Sequence, residues 1–176
     1  MKNLLLCLLV LCGTVFAQAQ QYSVRLTPDQ DGGGARTGTG IGTLSLSGTR
    51  LTLNITYSGL SANSVSTHIH GASGVFPASA SVRYDFVGLG LTTIGATSGT
   101  IAGTITLADI GTGATAYLLA QQIADLNNGL WYANVHSVNF GGGEIRGQIT
   151  PVPEPSALAL MGMGVALLGW RFTRKR

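Results

Sequence analysis

Three histidines are the side chains with the most evident capacity for chemistry in this sequence. His68 and His70 are separated by one residue, and His136 lies far downstream. Alternate residues of a β-strand project to the same face, so His68 and His70 point together if this segment is a strand. Three imidazoles with an open fourth position can hold zinc, and imidazole also suits copper. The pattern therefore allows a Cu or Zn site if a neighbouring strand carries His136.

A structural role for the histidines is the alternative, and it is the interpretation that we favour. Buried imidazoles can form hydrogen bonds across strands to backbone groups, which satisfies polar atoms in a domain with few charges. Candidate side-chain partners are Asn134, Tyr84 and Glu144. We therefore predict no cofactor, with a Cu or Zn ion as the alternative.

The sequence lacks the motifs of several common enzyme classes. It contains neither a Gly-x-Ser-x-Gly nucleophile motif nor a Gly-x-x-x-x-Gly-Lys phosphate loop. The glycine-rich residues 32–42 are not followed by a helical pattern, so they predict a loop rather than a nucleotide site. The acidic residues are too scattered to nominate the carboxylate pair of a glycoside hydrolase. We predict no catalytic residue and no enzymatic activity.

The elements that must position the histidines are short strands. Apolar and polar residues alternate in several runs separated by glycine-rich turns, and residues 42–57 predict a hairpin with a glycine in its turn. Further strands are predicted at residues 22–26, 64–70, 82–89, 100–107, 130–137 and 143–150. About eight antiparallel strands predict a mainly β fold, a β-sandwich of the Ig-like or Greek-key type. Residues 115–129 have helical spacing and predict one short helix.

Two groups of side chains in this domain have both a structural and a ligand-binding interpretation. Glu144 and Arg146 are two residues apart on a predicted strand, so they share a face and are expected to form an ion pair. The alternative is a polar patch with His136 that binds a sugar or an anion. Five aromatic residues could form a carbohydrate platform, although such residues more often belong to a core: Tyr84, Phe86, Trp131, Tyr132 and Phe140.

The N-terminus has the pattern of a secretory signal peptide, predicted to span residues 1–19. Lys2 is followed by an apolar run from Leu4 to Leu11, and Ala17 and Ala19 fit a small-x-small cleavage site. This pattern predicts export through the Sec translocon. Both cysteines of the chain lie inside the segment that would be removed, so the mature protein would contain no disulfide and no reactive thiol.

The C-terminus, residues 152–176, has three parts. Val152, Pro153, Glu154 and Pro155 form a stiff, extended segment, because each proline fixes its own φ and disfavours helix in the residue before it. The next 15 residues are apolar and uncharged, and as a helix they would extend about 22 Å, which is shorter than the ~30 Å hydrocarbon core of a membrane. A basic end follows and is expected to stay on the cytoplasmic side: Arg171, Arg174, Lys175 and Arg176.

This order of Pro-Glu-Pro, apolar run and basic end closely resembles the PEP-CTERM sorting signal of Gram-negative bacteria. The resemblance implies recognition by an exosortase and cleavage near Pro153, Glu154 and Pro155. It further implies transient anchoring in the inner membrane, followed by placement at the cell surface or in the extracellular matrix, commonly alongside exopolysaccharide and biofilm production. The alternative is a permanent tail anchor, for which the apolar run is short.

Residues 22–150 resemble a CHRD domain, a module named from chordin that also occurs in secreted bacterial proteins. The resemblance implies a β-sandwich but no particular biochemical activity. In the first segment the matching residues are His68, Ile69, His70 and Gly71. In the second they are Trp131, Tyr132, Asn134, Val135, His136, Gly143, Glu144, Ile145, Arg146, Gly147 and Gln148.

The charge balance of the predicted domain, residues 20–151, excludes one class of partner. This segment carries five arginines and six acidic residues, so its net charge is about −1 although the whole chain is +3. It has no basic patch with interleaved aromatic residues, and we expect no nucleic-acid binding. The sequence thus predicts an exported, non-enzymatic binding or structural module of the surface or matrix, which contacts exopolysaccharide or other surface proteins. The alternative is a metal-binding protein or metalloenzyme of the envelope.

Overall fold

The computed structural model describes residues 19–74, 77–153 and 163–164. These residues form eight strands, one α-helix and two short 3-10 turns at Asp29–Asp31 and Gly113–Thr115. The strands are β1 (Gln20–Leu26), β2 (Thr39–Ser47), β3 (Arg50–Ser58), β4 (Ser64–His70), β5 (Val82–Asp85), β6 (Gly99–Thr106), β7 (Tyr132–Ser137) and β8 (Ile145–Pro151), and helix α1 is Leu119–Asn127.

All eight strands belong to one curled antiparallel sheet with the order β5-β4-β7-β8-β1-β2-β3-β6. The prediction of a mainly β, antiparallel fold with about eight strands and one short helix is confirmed. The two halves of the sheet are joined where β8 pairs with β1. Both halves contribute side chains to a single apolar core. The curled sheet therefore covers this core on both sides, as the two separate sheets of a β-sandwich would.

The hairpin of β2 and β3 shows how the sequence specifies this arrangement. Residues of β3 alternate strictly between exposed and buried, and Leu51, Leu53 and Ile55 enter the core. Ser47 pairs with Arg50, and Gly48 has a φ of 59°, a conformation that glycine adopts without a steric penalty. The predicted hairpin and its glycine turn are therefore present.

Helix α1 is shorter than the pattern of residues 115–129 predicts. The backbone of Tyr117 instead pairs with Ile110, and the helix begins at Leu119, whose N–H donates to the carboxylate of Asp109 over 2.7 Å. The helix ends before Gly129, which has a φ of 68°. Leu126 is fully buried in the core, so one helical face packs against the core that the sheet forms.

The described residues include only a small part of the predicted signal peptide and sorting signal. Val152 and Pro153 lie within the described residues, and the N–H of Val152 donates to the carbonyl of Gln21 over 2.8 Å. Outside the described residues are Ala17, Glu154, Pro155, Arg171, Arg174, Lys175 and Arg176. Among the described residues, no helix has the length and apolar character needed to cross a membrane.

Candidate functional site

Three adjacent strands place the polar residues of interest on one side of the sheet. Ile69 on β4, together with Ala133 and Val135 on β7, faces the core, so the alternate residues face away from it. His68 lies opposite Asn134, which in turn lies opposite Arg146 on β8. We call this side of β4, β7 and β8 the polar face; its main residues are His68, His70, Tyr132, Asn134, His136 and Arg146.

The three histidines converge on the polar face because β4 and β7 are neighbours in the sheet. Each contributes a ring nitrogen to a cluster in which these atoms all lie within 4.8 Å of one another. The closest pair, His68 Nδ1 and His136 Nε2, is 3.1 Å apart. The convergence anticipated from the His-x-His spacing is therefore realised in the fold.

Backbone carbonyls hold two of the three rings in place. His70 Nδ1 donates to the carbonyl of Ala80 over 2.9 Å, and His136 Nδ1 donates to the carbonyl of Gly141 over 3.0 Å. Each Nδ1 must carry the proton because a carbonyl oxygen can only accept. Bonds to backbone were expected, but the bonds to the side chains of Asn134, Tyr84 or Glu144 that the sequence suggested are not formed.

Burial keeps all three imidazoles uncharged at neutral pH. Burial lowers the pKa of His68, and the nearby carboxylate of Asp85 offsets this effect in part. Burial likewise lowers the pKa of His70, and it lowers that of His136 to about 4. Neutral imidazoles retain a lone pair, so the cluster is suited to accepting a hydrogen bond or a metal ion.

Arg146 covers the polar face and fixes the loop above it. Its guanidinium lies 3.4 Å from the centroid of the Tyr132 ring, and that ring stacks on His70 at 4.7 Å. The same guanidinium donates to the carbonyls of Ala78 and Gly74 over 2.7 and 2.9 Å. The loop that follows β4 is therefore anchored to β8, which explains why Arg146 is almost completely buried.

Glu144 and Arg146 do not form the ion pair expected from their spacing. The carboxylate of Glu144 instead accepts hydrogen bonds from the backbone N–H groups of Ser61 and Thr37, over 2.6 and 3.2 Å. Burial raises the pKa of Glu144, but hydrogen bonds from Ser137, Ser61 and Thr37 outweigh burial and lower this pKa overall. Glu144 is therefore a buried junction between two loops and the start of β8.

Asp31 lies beside the polar face, near Asn134 and Arg146, and the sequence did not single it out. It lies in the 3-10 turn after β1, and a Cβ added at Gly143 would collide with its carboxylate and approach Asn134. Gly143 also has a φ of 130°, which L side chains rarely adopt. Burial raises the pKa of Asp31 to about 6, although the positive charges of Arg36 and Arg146 act to lower this pKa. Nothing in the residue pattern of this loop marks Asp31, because its position depends on the fold.

The aromatic residues divide between the core and the polar face. Trp131 and Phe86 are fully buried, and the indole N–H of Trp131 donates to the hydroxyl of Tyr117 over 2.6 Å. Tyr132 is buried within the polar face, while Tyr84 is half-buried against the core. These four rings therefore serve packing and cannot form an exposed platform for a sugar.

Comparison with protein families identifies the module that carries these features. A family model for the CHRD domain matches residues 22–149, which is most of the chain. The chain belongs to the CHRD domain family. A second model, for the PEP-CTERM protein-sorting motif, matches residues 151–175. Both resemblances drawn from the sequence are confirmed, and this protein is an exported CHRD protein that an exosortase processes for the cell surface. Neither the curated proteins nor the solved structures contain a match to the chain.

The structure gives the residues of the CHRD pattern distinct physical tasks. Gly143 and Gly147 allow close approach of neighbouring backbone and side chains, and Glu144 and Arg146 hold loops through backbone groups. Asn134 is buried on the polar face between His68 and Arg146. His68, His70 and His136 are the members of the pattern whose ring nitrogens form one cluster.

Proposed function

We propose that the processed CHRD domain is a non-enzymatic binding or structural module that contacts exopolysaccharide at the cell surface or in the matrix. The observation that carries this proposal is the order of the two family matches, a CHRD domain followed directly by a PEP-CTERM motif. The hydrogen bonds of Glu144 and Arg146 to loop backbone support a structural rather than a catalytic use of these charged residues.

A hydroxyl-rich surface on the other half of the sheet offers a place for this contact. The outward-facing residues of β2, β3 and β6 lie in register, as in the rows Ser45-Thr52-Thr104 and Ile41-Thr56-Thr100. They are exposed or half-buried. We call this surface the hydroxyl face; its hydrogen-bonding residues are Thr43, Ser45, Thr52, Asn54, Thr56, Thr100 and Thr104.

The charges around the hydroxyl face favour a neutral or acidic polysaccharide. Strands β1, β2, β3 and β6 carry Arg25 and Arg50 but no acidic residue. A shallow groove of about 320 Å³ at its edge is lined by Arg25, Thr39, Gly40, Ile41, Thr56, Tyr57 and Ser58. Hydroxyl and amide groups on a flat sheet can form repeated hydrogen bonds to sugar hydroxyls, and many weak contacts along one polymer add up through multivalency.

A double substitution on the hydroxyl face tests the site of contact. We expect Thr52→Glu with Asn54→Glu to weaken binding to the host's purified exopolysaccharide by about tenfold or more. Two lost hydrogen bonds account for about 1.4 kcal/mol, which is tenfold in affinity, and the added charges repel an acidic polymer. The measurement is the retardation of the processed protein during electrophoresis through gels containing the polysaccharide.

The matched control places two glutamates in a loop outside the hydroxyl face. Thr112 and Ala114 are exposed, and Thr112→Glu with Ala114→Glu adds the same charge. We expect this control to bind as the wild type does. Equal retardation of the wild type and the Thr52→Glu, Asn54→Glu variant, with both folded, would refute a role for this face.

A further inference from the structure

The histidine cluster has an arrangement of protons that suits a metal ion. His70 and His136 each donate Nδ1–H to a backbone carbonyl, so each Nε2 carries a lone pair. Metal-binding histidines commonly donate the second ring N–H to a carbonyl in this way, which fixes the tautomer and the orientation of the ring. His70 Nε2 is buried and has no hydrogen-bond partner among the described residues.

We propose that His68, His70 and His136 bind one divalent zinc or copper ion. The ligand atoms are His68 Nδ1 and the Nε2 atoms of His70 and His136, and the fourth position opens beside His68, the most exposed of the three. Nitrogens that bind zinc tetrahedrally at ~2.1 Å are about 3.4 Å apart. The ring nitrogens lie within 4.8 Å of one another, so a pair at that limit has to approach by about 1.4 Å, while the His68–His136 pair at 3.1 Å is already close enough. Rotations of the imidazole rings supply this movement.

Binding requires His68 to change its tautomer. His136 Nε2 is an acceptor, so the 3.1 Å contact places a proton on His68 Nδ1 when no ion is bound. To bind the ion, His68 loses this proton from Nδ1 and takes one up at Nε2, so the ring stays neutral and no net proton is released. Its Nε2 lies 4.0 Å from the Asp85 carboxylate, and an approach of about 1 Å would let that carboxylate accept the new N–H.

A neighbouring positive charge limits the affinity of this site. The charge of Arg146 acts on His70, and it opposes the approach of a divalent cation. Three neutral imidazoles bring no negative charge to the ion, unlike sites that contain thiolates or carboxylates. We therefore expect dissociation constants in the micromolar range, with copper bound more tightly than zinc.

Direct titration of the full-length chain tests the proposal without any substitution. The protein is purified in detergent without a polyhistidine tag, stripped with a chelator, and titrated separately with Zn²⁺ and Cu²⁺ in a calorimeter. We expect about one equivalent of either ion to bind. Co²⁺ should give the visible absorption of a nitrogen-bound tetrahedral site, and Zn²⁺ should abolish it by competition.

Three variants distinguish this site from adventitious binding. We expect His68→Asn to weaken binding at least about 100-fold, since it removes a ligand, and Asp85→Ala to weaken it about 10- to 100-fold through the second shell. Asp29→Ala removes an exposed carboxylate from the turn after β1 and should leave affinity unchanged. Thermal unfolding without metal checks that each variant is folded.

Two results would overturn the proposal. One is binding of less than about a tenth of an equivalent of both ions by the wild-type chain. The other is equal affinity of the folded His68→Asn and Asp29→Ala variants, which would indicate adventitious binding. Because the hydroxyl face lies on the other half of the sheet, loss of polysaccharide binding and loss of metal binding are separable outcomes.

Discussion

Replacing Gly147 with alanine is expected to destabilise the CHRD domain by about 3 kcal/mol. The added methyl would collide with the carbonyl oxygen of Arg25 and would lie 2.6 Å from its carbonyl carbon. This obstacle is backbone, so it cannot move aside as a flexible side chain would. Arg146 and Thr27 exchange hydrogen bonds beside this contact, and β8 would have to move away from β1.

Urea denaturation of the wild type and the variants measures this effect. Gly142→Ala is the matched control, because a methyl there meets no heavy atom within 4 Å and Gly142 is exposed. We expect the control to remain within about 0.5 kcal/mol of the wild type. A similar small change for Gly147→Ala would show that β1 and β8 are not packed as the structure describes.

Replacing Glu144 with alanine is expected to cost about 3 kcal/mol of stability. The substitution removes the carboxylate that accepts the partly buried hydrogen bonds from the N–H groups of Ser61 and Thr37. It also releases two loops from the start of β8. We expect a large drop in the free energy of unfolding, measured by urea denaturation, and faster hydrogen exchange at the amides of Ser61 and Thr37.

Glu144→Gln is the informative comparison because it keeps the shape and one acceptor oxygen. We expect it to cost less than Glu144→Ala, since the charge and one acceptor oxygen are lost but the other oxygen remains. The pKa of Glu144 lies below its usual 4.5 in the folded state, so its contribution is full above pH 4.5 and is lost as the pH falls through the folded pKa. The advantage of the wild type over Glu144→Gln should therefore shrink below pH 4.5; an advantage that grows on acidification would contradict the sign of this shift.

The sequence predicted which residues share a face, because side chains alternate along a strand whatever the surrounding fold. The burial of Ile69, the exposure of Thr52 and the common side of His68 and His70 all follow from this period of two. The convergence with His136 additionally required β4 and β7 to be neighbours. The residue pattern alone could not predict that these two strands are neighbours.

The partners of the polar residues could not be predicted in the same way. Glu144 and Arg146 satisfy the spacing for an ion pair, yet each bonds to loop backbone that lies distant in the sequence. Loops with many glycines contain no periodic signal, so neither the position of Asp31 nor the cover over the histidines was foreseeable. The alternation of apolar and polar residues along each strand also does not predict that β1 pairs with β8 and so joins the two halves into one sheet.

This chain is an exported CHRD protein with a PEP-CTERM sorting motif, and we propose that both of its ends are removed during sorting. The most direct test is the intact mass of the protein recovered from the surface or matrix of an exosortase-containing host. We expect a chain that begins at residue 20 and ends near the Pro153, Glu154, Pro155 motif, with any attached glycan or lipid as added mass. Recovery of the complete 176-residue chain, with its N-terminal methionine and its basic end, would contradict it.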